Sequence, residues 1–391
     1  MTIESLALEG IRVLELGQLI AVPSAAQQLA EYGADVIKIE PPGGEPTRKI
    51  KAAYATAILR GYNRGKRSVE IDLKNKEDFA FFERLIVSAD ILLHNMRPGT
   101  LARIGLPYDR LETLRPQIIS VSVSGFGSKG PSAVRAGLDI AAQAESGLMS
   151  VTGEASGDPQ RVGAPIIDHA TSYVVTQAVL AAVIRRDRHG VGSDIRVPLL
   201  DVAVHLQTPN WVEHQLSDRK MTRNGNGQPS VAPAADVITV HDGQLVISGY
   251  QPHAWNRLCE VIDRPDLVDD PRFVDNDSRV HNRADLLAIL TQAIGHMSTQ
   301  GAVDKLVASG IVAAMVRTYD EVLAAPDVIE NGVFVDGRTE TGSTFKVPAP
   351  PFRSHPPLSC DLGAIPEVGE HTREIRDAVL RPSHPTTATT C

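Results

Sequence analysis

The sequence predicts an α/β fold: a Rossmann-like open parallel sheet in a large domain, followed by a smaller α+β domain. Three observations carry this. First, Ile11-Arg12-Val13-Leu14-Glu15-Leu16 and Ala34-Asp35-Val36-Ile37-Lys38-Ile39-Glu40 read as strands with a helical pattern at 23–32 between them. That is one βαβ unit, which implies a parallel pair and a right-handed crossover. Second, strand-like runs recur at 68–73, 89–94 and 117–124, with helical patterns between the first two and near 100–104. Third, the pattern changes after about residue 215, where turn-rich Arg223-Asn224-Gly225-Asn226-Gly227-Gln228-Pro229 reads as a linker.

Each element has a local reason. Pro23 suits a first helical turn, and Gly33 ends that helix. A long helical pattern spans 168–186, and 195–197 reads as a further strand. Beyond the linker, short strands at 236–240 and 244–248 give way to helices, with loop breaks expected at Asp269-Asp270-Pro271 and Asn276-Asp277. The Pro-rich stretch 347–357 has few helical signals and is expected to run back over the first domain. The expected division is 1–215 (large α/β domain), 225–330 (small α+β domain), 331–381 (a segment returning to the large domain) and 382–391 (a disordered Ser/Thr/Pro/Ala tail).

Composition narrows the function classes. The 391 residues are 42% hydrophobic and 22% charged, with a formal net charge of −8, which argues against general binding to nucleic acid or acidic membranes. Cys259, Cys360 and Cys391 are few and far apart, which suggests neither a disulfide framework nor a zinc site and fits a reducing cytoplasm. The opening Met1-Thr2-Ile3-Glu4-Ser5 lacks signal-peptide character, and no apolar run approaches the roughly 20 residues that span a bilayer. A soluble cytoplasmic protein without a metal is expected.

Three features bear on chemistry. Gly125-Phe126-Gly127-Ser128-Lys129-Gly130 has dinucleotide-fingerprint spacing after a strand, but Pro131 follows and no acidic ribose partner stands about 20 residues on, so it reads as a tight structural loop. Between residues 48 and 74, Arg48, Lys49, Lys51, Arg60, Arg64, Lys66, Arg67 and Lys74 face only Glu70 and Asp72. That run suits either a phosphorylated ligand or a solvated basic face. Asp168 is the only charged residue between Arg161 and Arg185. It can be the N-cap of the helix that follows, or a nucleophile, and the two roles are compatible: a helix N-terminus favours the ionised carboxylate.

Six segments in order then resemble the class III CoA-transferases, the family that includes formyl-CoA transferase, carnitine CoA-transferase and α-methylacyl-CoA racemase. They are Leu8-Glu9-Gly10-Ile11-Arg12-Val13-Leu14-Glu15, Gly33-Ala34-Asp35-Val36-Ile37-Lys38-Ile39-Glu40-Pro41-Pro42-Gly43-Gly44, Asn63-Arg64-Gly65-Lys66-Arg67-Ser68, Asn95-Met96-Arg97-Pro98-Gly99, Ser122-Val123-Ser124-Gly125-Phe126-Gly127 and Gly369-Glu370-His371-Thr372-Arg373-Glu374. The resemblance implies that Asp168 is the catalytic nucleophile and Asp139 a possible auxiliary acid, with a capping role as its alternative. It implies CoA contacts at Leu19, Ile20, Ala21, Ile71, Lys74, Asn95, Met96 and Arg103, and a flap at Gly249, Tyr250 and Gln251. It further implies acyl-CoA and carboxylic acid substrates, no bound cofactor, and an interlocked homodimer. Two departures narrow the chemistry. Ile20 stands where the formyl-CoA enzyme has Gln, and Leu138 stands where the racemase has a proton-transferring His. Leucine moves no proton, so racemisation loses one of its two bases. CoA transfer through an aspartyl intermediate is therefore expected, ahead of an acyl-CoA racemase or isomerase and of a non-catalytic CoA-binding protein.

Overall fold

Six strands form one wholly parallel sheet: β1 (Arg12–Leu16), β2 (Asp35–Glu40), β3 (Arg67–Glu70), β4 (Ile91–His94), β5 (Ile119–Ser124) and β6 (Ser193–Pro198). Their order is β3-β2-β1-β4-β5-β6, with Val13 opposite both Val36 and Ile91. The computed structural model describes residues 6–217, 220–227, 235–249, 252–339 and 342–380.

Both faces of the sheet are covered, which explains why β1, β2 and β4 carry apolar residues on both sides. On one face Val13, Val36, Ile91 and Val121 pack with the Ala21–Glu31 and Ile166–His189 helices. On the other, Leu14, Ile37 and Leu92 meet Phe82 and Leu85 of the Lys76–Val87 helix and Ile375 of the Thr372–Leu380 helix. Buried inside the first face, Glu15 and Lys38 interrupt the apolar pattern as an ion pair.

The Ile166–His189 helix starts at Ile166 and ends at Gly190, whose φ of 69° closes it in the left-handed region. By length and composition alone it could cross a membrane, with an 18-residue stretch of mean hydropathy 1.3. His169, Ser172 and Gln177 interrupt it, so it is not a continuous apolar run. In the fold its Val175 and Val179 are fully buried in the core.

The chain divides into two compact units. One takes the chain up to Leu148, Val162–Trp211, and everything from Glu330 on; the other takes Met149–Arg161 and Val212–Ile329. The second unit is built on an antiparallel sheet ordered β7-β8-β9: β7 (Ala235–Val240), β8 (Gly243–Ser248) and β9 (Val312–Met315). Its core gathers Trp255, Leu258, Phe273, Leu286 and Leu290. The expected break at Asn276-Asp277 is instead the opening of a helix, Asn276–His281. Asp275 caps it by accepting a 2.7 Å hydrogen bond from the Ser278 amide.

In the first unit, β10 (Phe334–Arg338) and β11 (Thr344–Pro348) form an antiparallel hairpin, which alternation in so short a run did not reveal. The returning chain also covers the sheet edge. At β3, the His371 amide donates to the Ser68 carbonyl at 2.9 Å, and Thr372 Oγ1 accepts from the Glu70 amide at 3.0 Å. A bare parallel edge would present those groups unpaired. The tail expected at 382–391 lies outside the described residues.

Candidate active site

In the sheet, the connections from neighbouring β1 and β4 leave toward opposite sides, so the crevice beyond their carboxyl ends is the topological switch point. A cavity of about 290 Å³ lies there. It is lined by residues 18–21 after β1, 95–98 after β4, 123–125 after β5 and 135–138, together with Asp168 and Leu199.

Asp168 is half-buried and sits in the first turn of its helix, three residues past the N-cap Pro165. It is not the N-cap. Asp139 does that work from another element: its Oδ2 accepts hydrogen bonds from the Ile167 amide at 2.7 Å and the Asp168 amide at 3.1 Å. Gln143 Nε2 holds the other Asp139 oxygen at 2.5 Å, and the Val162 amide in turn donates to Gln143 Oε1 at 2.9 Å. The Asp168 carboxylate makes no hydrogen bond among the described residues and is left facing the cavity.

The electrostatics overturn the expectation that the helix end keeps Asp168 ionised. Burial, and secondly the Asp139 charge, push its carboxyl up to about 7. A helix N-terminus supplies typically about 0.3–1 kcal/mol, whereas a rise from 3.8 to about 7 corresponds to several times that at about 1.4 kcal/mol per unit. Desolvation wins, and it is reinforced because Asp139 has already taken the amides of that helix turn.

The loop after β1 is held from β4. Asn95 Oδ1 accepts from the Gln18 amide at 3.1 Å, and Asn95 Nδ2 donates to the Gln18 carbonyl at 2.8 Å. Leu19, next in the chain, has φ 64°, a left-handed conformation that costs a side-chain-bearing residue about 1–2 kcal/mol.

Of the residues singled out from sequence, Leu19, Ile20, Ala21, Asn95, Met96 and Asp168 line this one cavity, and Leu138 joins them. Ile71, Lys74 and Met96 line an adjoining cavity of about 310 Å³. Arg103 lines neither; it is exposed, and its guanidinium donates to Thr100 Oγ1 at 2.8 Å. Gly249 follows β8 in the second unit, and Tyr250 and Gln251 lie outside the described residues. Sequence reasoning missed Gln18, and it missed Arg135, which lines the cavity while paired with Glu145 and stacked 4.4 Å from the Phe126 ring centroid. Neither residue has a local pattern that would have marked it.

Part of the basic run is tied up in ion pairs, whereas Lys49, Lys51 and Lys74 are exposed. Lys66 is buried and bonds Glu15 at 2.7 Å, the Pro23 carbonyl at 2.9 Å and Asn63 at 3.0 Å. Arg48 pairs with Glu40 at 2.7 Å and Arg67 with Asp35 at 2.6 Å. Its partners come from β1 and β2, so counting charges within the run missed them. Gly125 is required for packing: a Cβ there would collide with the Cα of Gly137, and the reverse holds too. The fingerprint spacing follows β5, whereas the dinucleotide turn belongs after the first strand. Among the described residues no group of three or more His, Cys, Asp or Glu could hold a metal ion.

On the far side of the Asp168 turn, Tyr62 Oη and His169 Nε2 lie 2.7 Å apart. They line a larger cavity of about 540 Å³ with Tyr54, Tyr173 and Phe352.

Fold and cavity together define a Rossmann-like α/β protein with a cavity at the switch point of the sheet. The chain belongs to CoA-transferase family III, whose model matches residues 8–372, and is a class III CoA-transferase. It is 36% identical over 365 residues to the probable fatty acyl-CoA transferase Rv3272 of Mycobacterium tuberculosis, covering 88% of this chain and 91% of that one. It is 34% identical to the succinate–glutarate CoA-transferase of Agrobacterium fabrum, covering 94% of each. Among solved structures, a CAIB/BAIF family protein from Brucella suis matches with a TM-score of 0.85 at 31% identity, covering 96% of this chain and all of that one.

Proposed function

We propose that this protein moves coenzyme A from an acyl-CoA to a free carboxylate through covalent intermediates on Asp168. An Asp168 oxygen attacks the thioester carbonyl, the C–S bond breaks, and CoA leaves as thiolate with a mixed anhydride on the enzyme. The thiolate attacks the aspartyl carbonyl of that anhydride, expelling the donor carboxylate and forming an aspartyl-CoA thioester. The acceptor carboxylate then attacks this thioester carbonyl, releasing thiolate and forming a second anhydride. Attack of the thiolate on the acceptor's acyl carbon yields the new acyl-CoA and frees Asp168. Thioester replaces thioester, so the cycle needs no external energy source.

The observation that carries this reading is the free Asp168 carboxylate in the switch-point cavity, held through its own amide by Asp139. With its carboxyl raised to about 7, the group is a more basic, stronger nucleophile than a solvated aspartate, and about half is ionised near neutrality. Positioning supplies much of the rate, since effective molarities reach about 10⁵ M or more. Ile20, Ala21 and Met96 would hold the pantetheine arm, and Ile71 and Lys74 the nucleotide end. Leu138, 54% exposed and beside Asp168 in the cavity lining, offers no second base for racemisation. Relatives named for fatty acyl, glutarate and mesaconate transfer support a carboxylic acid acceptor. A homodimer with a carboxylate-specific pocket completes the proposal.

Asp168→Ala should abolish exchange of CoA between acyl-CoA and carboxylic acids while the thermal unfolding midpoint does not fall below the parent's. Hydroxylamine treatment of enzyme incubated with acyl-CoA should modify the peptide containing Asp168. Modification of a different carboxylate, or exchange surviving in the alanine variant, overturns the assignment.

A further inference from the structure

We infer that Asn95 serves as a positioning residue rather than a direct CoA ligand: its side chain clamps the Gln18 main chain and thereby holds Leu19 in the left-handed turn that shapes the switch-point cavity. The proposal rests on the reading of that cavity as the CoA site.

Both polar atoms of the Asn95 amide are engaged in the clamp. Its oxygen accepts from the Gln18 amide at 3.1 Å and its nitrogen donates to the Gln18 carbonyl at 2.8 Å. This is a two-point contact between the ends of β1 and β4, and it fixes both polar groups of a single backbone residue. The next residue, Leu19, is one of only two non-glycine residues among those described with a positive φ. The other, Asp263, lies in the second unit. Leucine has no side-chain group with which to stabilise that conformation itself, so the surrounding structure must impose it. Immediately after it, Ile20 and Ala21 open the Ala21–Glu31 helix, and Ile20 has no side-chain cap. All of 18–21 line the cavity with Asp168.

Turn geometry at Leu19 therefore decides where the start of this helix stands relative to the nucleophile. Misplacing a positioning element by about 1 Å can cost on the order of a hundredfold in rate. A direct ligand and a clamp differ in one respect: only a clamp can be replaced by making the clamped conformation intrinsically acceptable. Glycine adopts a positive φ without steric cost.

The test uses the full chain and four proteins: parent, Asn95→Ala, Leu19→Gly and the double variant. In ligand-free protein, hydrogen exchange of the peptide spanning residues 17–22 should accelerate in Asn95→Ala. Calorimetric titration with coenzyme A itself should show binding weakened about tenfold or more in Asn95→Ala. Leu19→Gly sets its own reference affinity, since Leu19 lines the cavity, and adding Asn95→Ala to it should weaken binding by no more than about threefold. If adding Asn95→Ala costs as much CoA affinity in the Leu19→Gly background as in the parent, the Asn95 side chain contacts CoA directly and the clamp is wrong. Unchanged exchange at 17–22 in Asn95→Ala also overturns it, whatever CoA does. A parent protein that fails to bind CoA, with exchange responding as expected, instead overturns the CoA reading and leaves the clamp standing.

Discussion

At the scale of single residues, the two aspartates divide one task. Asp139 satisfies the amides of the Asp168 helix turn, and its charge, second to burial, raises the Asp168 carboxyl. The active form of Asp168 is the ionised one, so kcat/KM should fall as pH drops below about 7. A flat profile down to pH 5 would contradict this. Asp139→Asn keeps an acceptor for the two amides but removes the charge. The acidic limb should then move to lower pH, and movement upward would remove Asp139 from the explanation. Stability follows the same linkage. An acid whose folded value lies above its unfolded one holds a proton in the folded state between roughly pH 4 and 7. Its contribution to stability is therefore lost as pH rises through about 7. Asp168→Asn should raise the thermal midpoint most at pH 8 and by clearly less at pH 5, where only the part of the loss between about pH 4 and 5 has accrued. The identity of Asp168 as an unusual carboxylate was legible in the sequence, because no other charge stands near it in the chain. Its protonation was not, because the cap and the neighbouring charge both arrive from 29 residues away.

At the scale of elements, alternation of strands and helices exposed the parallel sheet, with β1, β2 and β4 apolar on both faces. Local patterns failed where an element depends on a distant partner. Arg48, Lys66 and Arg67 of the basic run pair with β1 and β2, and the β10–β11 hairpin depends on cross-strand pairing. Two consequences follow for variants. Lys66→Met removes the cation that bonds Glu15 and leaves that buried carboxylate with Lys38 as its remaining ion partner. Urea unfolding should show a loss of about 3–5 kcal/mol. Gly125→Ala forces a methyl group into Gly137, so stability should fall by about 1–3 kcal/mol. Because residues 135–138 wall the cavity, CoA exchange should suffer more than stability does. An alanine variant with full activity would show that this wall can move freely.

At the scale of the whole molecule, the first unit is discontinuous: its last part begins at Glu330, after the second unit has been traversed. The proposed homodimer predicts a solution mass near twice 42.0 kDa, checked by sedimentation equilibrium at several concentrations; a monomer at all of them would remove it. The closing segment Gly369-Glu370-His371-Thr372, noticed in the sequence as part of a resemblance, proves to seal the edge strand β3. Ile375, 2% exposed, follows it into the core. This arrangement dictates a timetable for synthesis. The β1–β4 portion leaves the ribosome early, yet its outermost strand stays open until some three hundred further residues have been added. At bacterial-like speeds of about 5–20 residues per second, that is tens of seconds during which a nascent chain carries an unsealed sheet. Chains stalled near residue 330 should be cut readily by protease within 60–75, and released full-length chains should resist. Equal resistance in both would mean that the sheet closes without its final segment. For this fold, the last residues made are the ones that finish what the first began.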